Sequence, residues 1–234
     1  MFKHIRHEPF AHVTRLRYGG KLRRIERQLH HYGSALNAQV LLSAFRDDPT
    51  DNYLLRVGYA GSTGPLSSIT EAGFASAAFH SYPDTMKWDA LIGDYGPGFL
   101  GMVLGSGTYV AEDKSLGGTV AYGGVLVKDG AKVTVTTKDA VRKRVFVGPL
   151  GLTINIDAGV IGEFSYETGG SSLEMRISQV SGGPVATNAT VWLESSPSSG
   201  ASWKVTSEGA SEGRGGWQVP LARDVSTTVQ ISSV

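Results

Sequence analysis

Residues 79–99 gather the side chains best suited to chemistry. The stretch reads F-H-S-Y-P-D-T-M-K-W-D-A-L-I-G-D-Y-G-P-G-F and carries Asp84, Asp89, Asp94 and His80 beside the rings of Tyr82, Trp88, Tyr95 and Phe99. Carboxylates next to flat aromatic faces suit sugar recognition. A ring stacks on the C–H face of a pyranose, and a carboxylate accepts hydroxyl hydrogens or does acid–base work. A glycosidase needs two carboxyl groups about 5–5.5 Å apart for retention, or about 6.5–9.5 Å for inversion. The three aspartates are spaced by five residues. On a continuous helix that advance turns the face by roughly 140°, so only a loop bent at Pro83 and Gly93 can bring them together. Structural roles compete for the same residues. Asp84 suits the N-cap of a helix over 85–91 and Asp94 suits a glycine turn. His80 also suits a hydrogen-bonded core position, and Trp88 and Tyr95 suit packing between layers. Glu71, in Thr70-Glu-Ala-Gly, is either a further carboxylate or a solvated turn residue.

Other chemistries find little support. The 234 residues include no cysteine, so disulfides and cysteine-based metal sites or nucleophiles are excluded. The histidines at 4, 7, 12, 30 and 31 have no acidic pattern to complete a metal site, and no cofactor is expected. Gly93-Asp-Tyr-Gly-Pro-Gly and Gly101-Met-Val-Leu-Gly-Ser-Gly lack the lysine of a phosphate loop. No serine sits in a nucleophile elbow. Asn188-Ala-Thr is a glycosylation sequon, which has meaning in a secretory pathway. No apolar run approaches membrane-spanning length, and the N-terminus shows no apolar signal core. Residues 1–28 hold eight Lys/Arg against two Glu, a net of +6, which leaves −5 for the remainder of a chain at +1. No stacking motif accompanies that charge, so a solvated basic segment is favoured over a nucleic-acid contact.

The elements that position these residues change character along the chain. Leu29, Tyr32, Leu36 and Val40, widened by Leu41 and Phe45, predict a helix that ends before Pro49. Thr50 can cap a second helix carrying Tyr53, Leu54, Val57 and Ala60, closed by Gly61, Gly64 and Pro65. Beyond residue 105, short strands take over. Asp129-Gly130 predicts a hairpin turn, Leu152, Ile154 and Ile156 alternate with polar residues, and Thr168-Gly-Gly-Ser171 separates another strand pair. Val191-Trp-Leu and Val229-Gln-Ile read as later strands, and the Ser/Gly-rich residues 195–216 as a long loop. The expected fold is α+β: a short antiparallel helical segment (29–105, holding the Asp/aromatic loop) packed on an antiparallel β-sandwich (106–234), after a basic segment 1–28.

The order of several motifs resembles an uncharacterised microbial and fungal family, domain of unknown function number 5695. They are Tyr59-Ala-Gly-Ser-Thr-Gly-Pro-Leu, Gly73-Phe-Ala-Ser-Ala-Ala-Phe-His-Ser-Tyr-Pro-Asp, Lys87-Trp-Asp and Gly93-Asp-Tyr-Gly-Pro-Gly-Phe, followed by Thr108-Tyr-Val, Tyr122-Gly-Gly, Arg142-Lys-Arg-Val, Gly148-Pro-Leu-Gly-Leu and Ile156-Asp-Ala-Gly. Members look like glycoside hydrolases with α/α-toroid and β-sandwich parts, and they are several times longer. The resemblance implies that this chain is their C-terminal end: the last helices of the toroid and the closing sandwich. It also suggests an extracellular setting. The function expected is a carbohydrate-active protein, hydrolysing glycosidic bonds when completed by the rest of the toroid. In that reading Asp84, Asp89 and Asp94 are the catalytic candidates, and His80, Tyr82, Trp88 and Tyr95 contact an oligo- or polysaccharide. The alternative is a non-catalytic sandwich for glycan binding or structural support.

Overall fold

The computed structural model describes residues 29–63, 80–81, 106–213 and 215–234. Asp84, Asp89, Asp94, Tyr82, Trp88 and Tyr95 lie outside the described residues, as does the basic segment 1–28. The chain divides into two compact units, Met1–Ala44 with Tyr53–Ser106 and Phe45–Asn52 with Gly107–Val234.

In the first unit, β1 (Leu29–His30) pairs antiparallel with β2 (His80–Ser81), which sets the backbone of His80 opposite His30. Among the described residues two α-helices form, α1 (His31–Asp47) and α2 (Asn52–Thr63), whose adjoining ends, from Phe45 to Asn52, fall in the second unit. The predicted face of α1 holds at Leu41 and Phe45 and is corrected at Leu36 and Val40. Leu36 and Val40 are 45% and 54% exposed, whereas Ala35, Ala38, Leu41 and Leu42 are buried. Small side chains explain this, because they let α2 approach closely. A Cβ on Gly58 would lie 3.0 Å from Leu42 Cγ and 3.2 Å from Leu41 Cβ. Leu42 and Gly58 stand nearly equidistant from the connection, so the helices run antiparallel. The α2 face is likewise Leu55, Val57, Gly58, Gly61 and Ser62, and Gly61 lies inside the helix rather than closing it. No helix among the described residues is long and apolar enough to cross a membrane.

The helix connection belongs to the second unit and is set by local bonds. Asp48 Oδ1 accepts from Thr50 N at 3.2 Å and Thr50 Oγ1 at 2.6 Å. Thr50 therefore ties back to Asp48 instead of serving as the expected cap, and α2 starts two residues later.

The rest of the second unit is a two-sheet, sandwich-like assembly, which makes the fold α+β. It contains β3 (Thr108–Asp113), β4 (Gly118–Tyr122), β5 (Gly124–Asp129), β6 (Lys132–Thr137), β7 (Arg144–Val147), β8 (Leu152–Ile156) and β9 (Val160–Glu167). These are followed by β10 (Ser172–Ser178), β11 (Asn188–Ser195), β12 (Trp203–Val205), β13 (Ser211–Gly213), β14 (Gly216–Pro220) and β15 (Thr227–Ser233). One sheet has the order β12-β15-β10-β9-β6-β5 and the other β13-β14-β11-β8-β7-β3-β4. Pairing is antiparallel except between β3 and β7. The stretch 195–216, expected as a loop, holds β12 and β13. Serine and glycine hid them, because these strands contribute backbone pairing more than an alternating apolar pattern.

Alternation builds the core. Leu152, Ile154, Ile156, Val145, Val147 and Val191 of one sheet meet Val133, Val135, Phe164, Met175, Val229 and Ile231 of the other. Each such side chain contributes about 1.5–3 kcal/mol through removal from water. Across β6, β9, β10 and β15 the far face of the six-stranded sheet is polar, with Thr134, Ser165, Glu174 and Gln230 opposite one another, whereas β5 adds the exposed Val127 beside Thr134. The β5–β6 turn differs by one residue from expectation. Asp129 pairs with Lys132, so Gly130 and Ala131 form the loop. Gly130 has φ +59 while Ala131 does not take positive φ, the pattern of a II′ turn with glycine first.

A second, smaller cluster lies on the opposite face of the seven-stranded sheet. Phe45, Tyr109 and Phe146 are buried there, with Phe45 meeting Phe146 edge-on at 5.5 Å and Tyr109 at 6.4 Å. Arg46 Nη1 donates to Tyr109 Oη at 2.8 Å.

Candidate functional site

Beside this cluster, the outer face of the seven-stranded sheet carries a row of functional side chains drawn from three strands. Val145, Ile154 and Val191 point into the core. The alternation of a strand therefore sends Arg144, Asn155 and Trp192 to the other face. Pairing sets Arg144 opposite Asn155 and Asn155 opposite Trp192. Arg144 Nε donates to Asn155 Oδ1 at 2.8 Å, which fixes both side chains and leaves Asn155 Nδ2 outside that bond. The indole of Trp192 is half-buried and lies over Gly216, where a Cβ would come within 3.1 Å of Trp192 Cδ1 and Nε1. Glycine at 216 thus lets the ring settle against the backbone of β14.

A parallel row runs one step along the strands. Thr190 Oγ1 donates to Asp157 Oδ2 at 2.7 Å, and Thr190 N donates to Asp157 Oδ1 at 2.7 Å. Gln218 Nε2 donates to Thr190 Oγ1 at 2.9 Å, completing a chain from amide to hydroxyl to carboxylate. Lys143 Nζ donates to the carbonyl of Asp157. Burial is the largest single influence on the Asp157 carboxyl and pushes it up. The side-chain and backbone bonds from Thr190, with further backbone bonds, outweigh it and hold the group below its ordinary value of 3.8. The associated stability is full above 3.8 and is lost as the pH falls through the depressed folded value. Asp157→Asn is therefore expected to flatten the acid limb of thermal stability below about pH 4. Melting curves from neutral pH downward check this, and an unchanged acid limb contradicts it.

Asp113 and Asp139 organise turns. Asp113 accepts from Ser115 N at 2.9 Å and Ser115 Oγ at 2.6 Å, capping the 3-10 turn Lys114–Leu116. Asp139 accepts from Thr108 Oγ1 at 2.8 Å and from the amides of Val141 and Arg142 at 3.2 and 2.6 Å. Arg142 there takes φ +51, a conformation costly for a side-chain-bearing residue. Among the described residues no group of three or more His, Asp or Glu could hold a metal ion.

The family of unknown function DUF5695 matches residues 15–229. The chain belongs to this family. No curated protein and no solved structure matches it. The DUF5695 match spans every residue of both rows, from Lys143 to Gln218. Of the sequence-predicted site, only His80 falls within the described residues of this DUF5695 chain, as part of the β1–β2 pair. Trp192, Arg144 and Asn155 were missed as site residues. One signal was available: in Val191-Trp192-Leu193 a tryptophan occupies the position that alternation assigns to the polar face.

Proposed function

We propose that this DUF5695 chain is a carbohydrate-active protein whose sandwich holds a saccharide on the outer face of the seven-stranded sheet. The observation that carries the proposal is the Arg144–Asn155–Trp192 row. An indole offers apolar surface to the C–H face of a pyranose, with the polar edge of the sugar left for hydrogen bonds. Asn155 Nδ2 and the Arg144 guanidinium supply donors, while Gln218 Oε1 and the Asp157 carboxylate supply acceptors. A polyol needs both, since each hydroxyl donates and accepts. On this face the Asp157 carboxylate is engaged by the amide and hydroxyl of Thr190. Hydrolysis within the same reading rests on Asp84, Asp89 and Asp94, with Trp88, Tyr95, His80 and Tyr82 at the sugar and the remainder of an α/α toroid completing the pocket.

Affinity electrophoresis of the full chain against a panel of soluble polysaccharides tests this. Trp192→Ala is expected to weaken retention by about tenfold or more, the loss of roughly 1.4 kcal/mol, with unchanged far-UV circular dichroism. Equal retention of the variant overturns the proposal. A reducing-sugar assay on the same polysaccharides registers hydrolysis as release of reducing ends that Asp84→Asn, Asp89→Asn or Asp94→Asn is expected to remove.

A further inference from the structure

A groove of about 420 Å³ opens elsewhere in the second unit, on residues separate from the Trp192 face. It is lined by Thr50, Ser171, Ser198, Ser199, Trp203 and Pro149 among others. Among the described residues no Lys, Arg, His, Asp or Glu lines it. The size falls in the range of small-molecule sites, about 300–1,000 Å³.

Local structure holds it open. Gly148–Leu150 forms a 3-10 turn that ends on Gly151 at φ +57. Ser196 N donates to Gly151 O at 2.7 Å, and Ser199 Oγ donates to Ser196 O at 2.9 Å, so the loop after β11 is fastened to that turn. A Cβ on Gly151 would lie 2.6 Å from Ser199 Cβ, so only glycine permits this approach. Two buried polar atoms of this region, Ser196 Oγ and Trp203 Nε1, have no hydrogen-bond partner. Such atoms carry unmet bonding capacity in the framework of the groove.

We infer that the groove binds a single uncharged sugar unit, a second saccharide site distinct from the sheet face. The inference rests on the carbohydrate reading above for its ligand class. A charged ligand would lose hydration here and meet no countercharge. The Ser171 and Ser198 hydroxyls can donate and accept, while Thr50 and Ser199, whose protons go to Asp48 and Ser196, can accept; each hydroxyl of a sugar does both. The indole and proline rings provide the apolar surface that a pyranose face requires.

Saturation-transfer NMR on the full chain tests it, using neutral hexoses, the corresponding uronic acids and amino sugars, and short neutral oligosaccharides. Neutral hexoses or neutral oligosaccharides are expected to bind, and the charged sugars to bind about tenfold more weakly or worse. Transfer to free hexoses assigns a free unit as the ligand; transfer confined to oligosaccharides assigns a chain end. Ser171→Val with Ser198→Val, both at exposed positions, should reduce affinity about tenfold without altering the fold. Trp192→Ala should leave this binding intact. The inference is overturned by absent transfer from all neutral ligands, by equal binding of charged and neutral sugars, or by a serine variant that binds like the parent. Groove binding that survives while Trp192→Ala leaves polysaccharide retention unchanged removes only the reading of the sheet face. The reverse pattern removes only the groove.

Discussion

Phe146→Ala is expected to lower the free energy of unfolding by about 3–5 kcal/mol, the range for truncating a fully buried aromatic. Phe146 has no exposure although it faces away from the main core. Its ring meets Phe45 edge-on at 5.5 Å and Tyr109 at 5.8 Å. Removing it opens a cavity between a sheet and the helix connection, and it strips both neighbours of a partner. Edge-to-face pairs add about 0.5–1.5 kcal/mol beyond burial. Phe45→Ala should therefore cost less in the Phe146→Ala background than in the parent, because both substitutions delete the same contact. Urea denaturation of the four proteins measures this. A loss below about 1 kcal/mol for Phe146→Ala, or strict additivity, would show that the outer cluster is loosely held.

Tyr166→Phe is expected to do the opposite and stabilise the protein by about 1–3 kcal/mol, the cost of an unsatisfied buried polar group. Tyr166 is 4% exposed within the core, and its Oη has no hydrogen-bond partner. Phenylalanine fills the same space without that hydroxyl. The phenol is pushed well above its ordinary value of 10.0, first by burial and then by the negative charge of Glu112. A raised pKa means that the folded state resists ionisation. The parent should then lose stability as the pH rises above 10, where the unfolded chain ionises, and Tyr166→Phe should lose less. Denaturation midpoints at neutral and alkaline pH check both points. A destabilised phenylalanine variant would mean that the hydroxyl finds a partner in solution.

These two sites show what the sequence could and could not convey. The alternation of Leu152, Ile154 and Ile156 was legible because a period of two leaves one solution for a half-buried strand. The hairpin around Thr168–Ser171 was legible for the same reason, with Tyr166 opposite Leu173. The face of α1 was misread because large side chains were weighted as core, while Ala35 and Ala38, which admit the second helix, look neutral. The β5–β6 turn slipped by one position because Asp-Gly and Gly-Ala are both acceptable turn pairs, and pairing decides between them. Arg144, Asn155 and Trp192 form a row only through cross-strand register, which no local pattern encodes. The Asp84, Asp89 and Asp94 constellation lies outside the described residues.

The path of the chain through the two sheets has a consequence for how the protein assembles. After β4 the chain enters the six-stranded sheet, and it then changes sheet repeatedly until β15 ends in the six-stranded one. Neither layer is contiguous in sequence, so each is assembled from segments separated by strands of the other. Loop closures between distant strands must be met before their contacts are gained, a topology that favours folding in milliseconds to seconds rather than microseconds. β15, which follows the other described strands in sequence, sits between β12 and β10. The six-stranded layer therefore joins β12 to β10 only once β15 has been made.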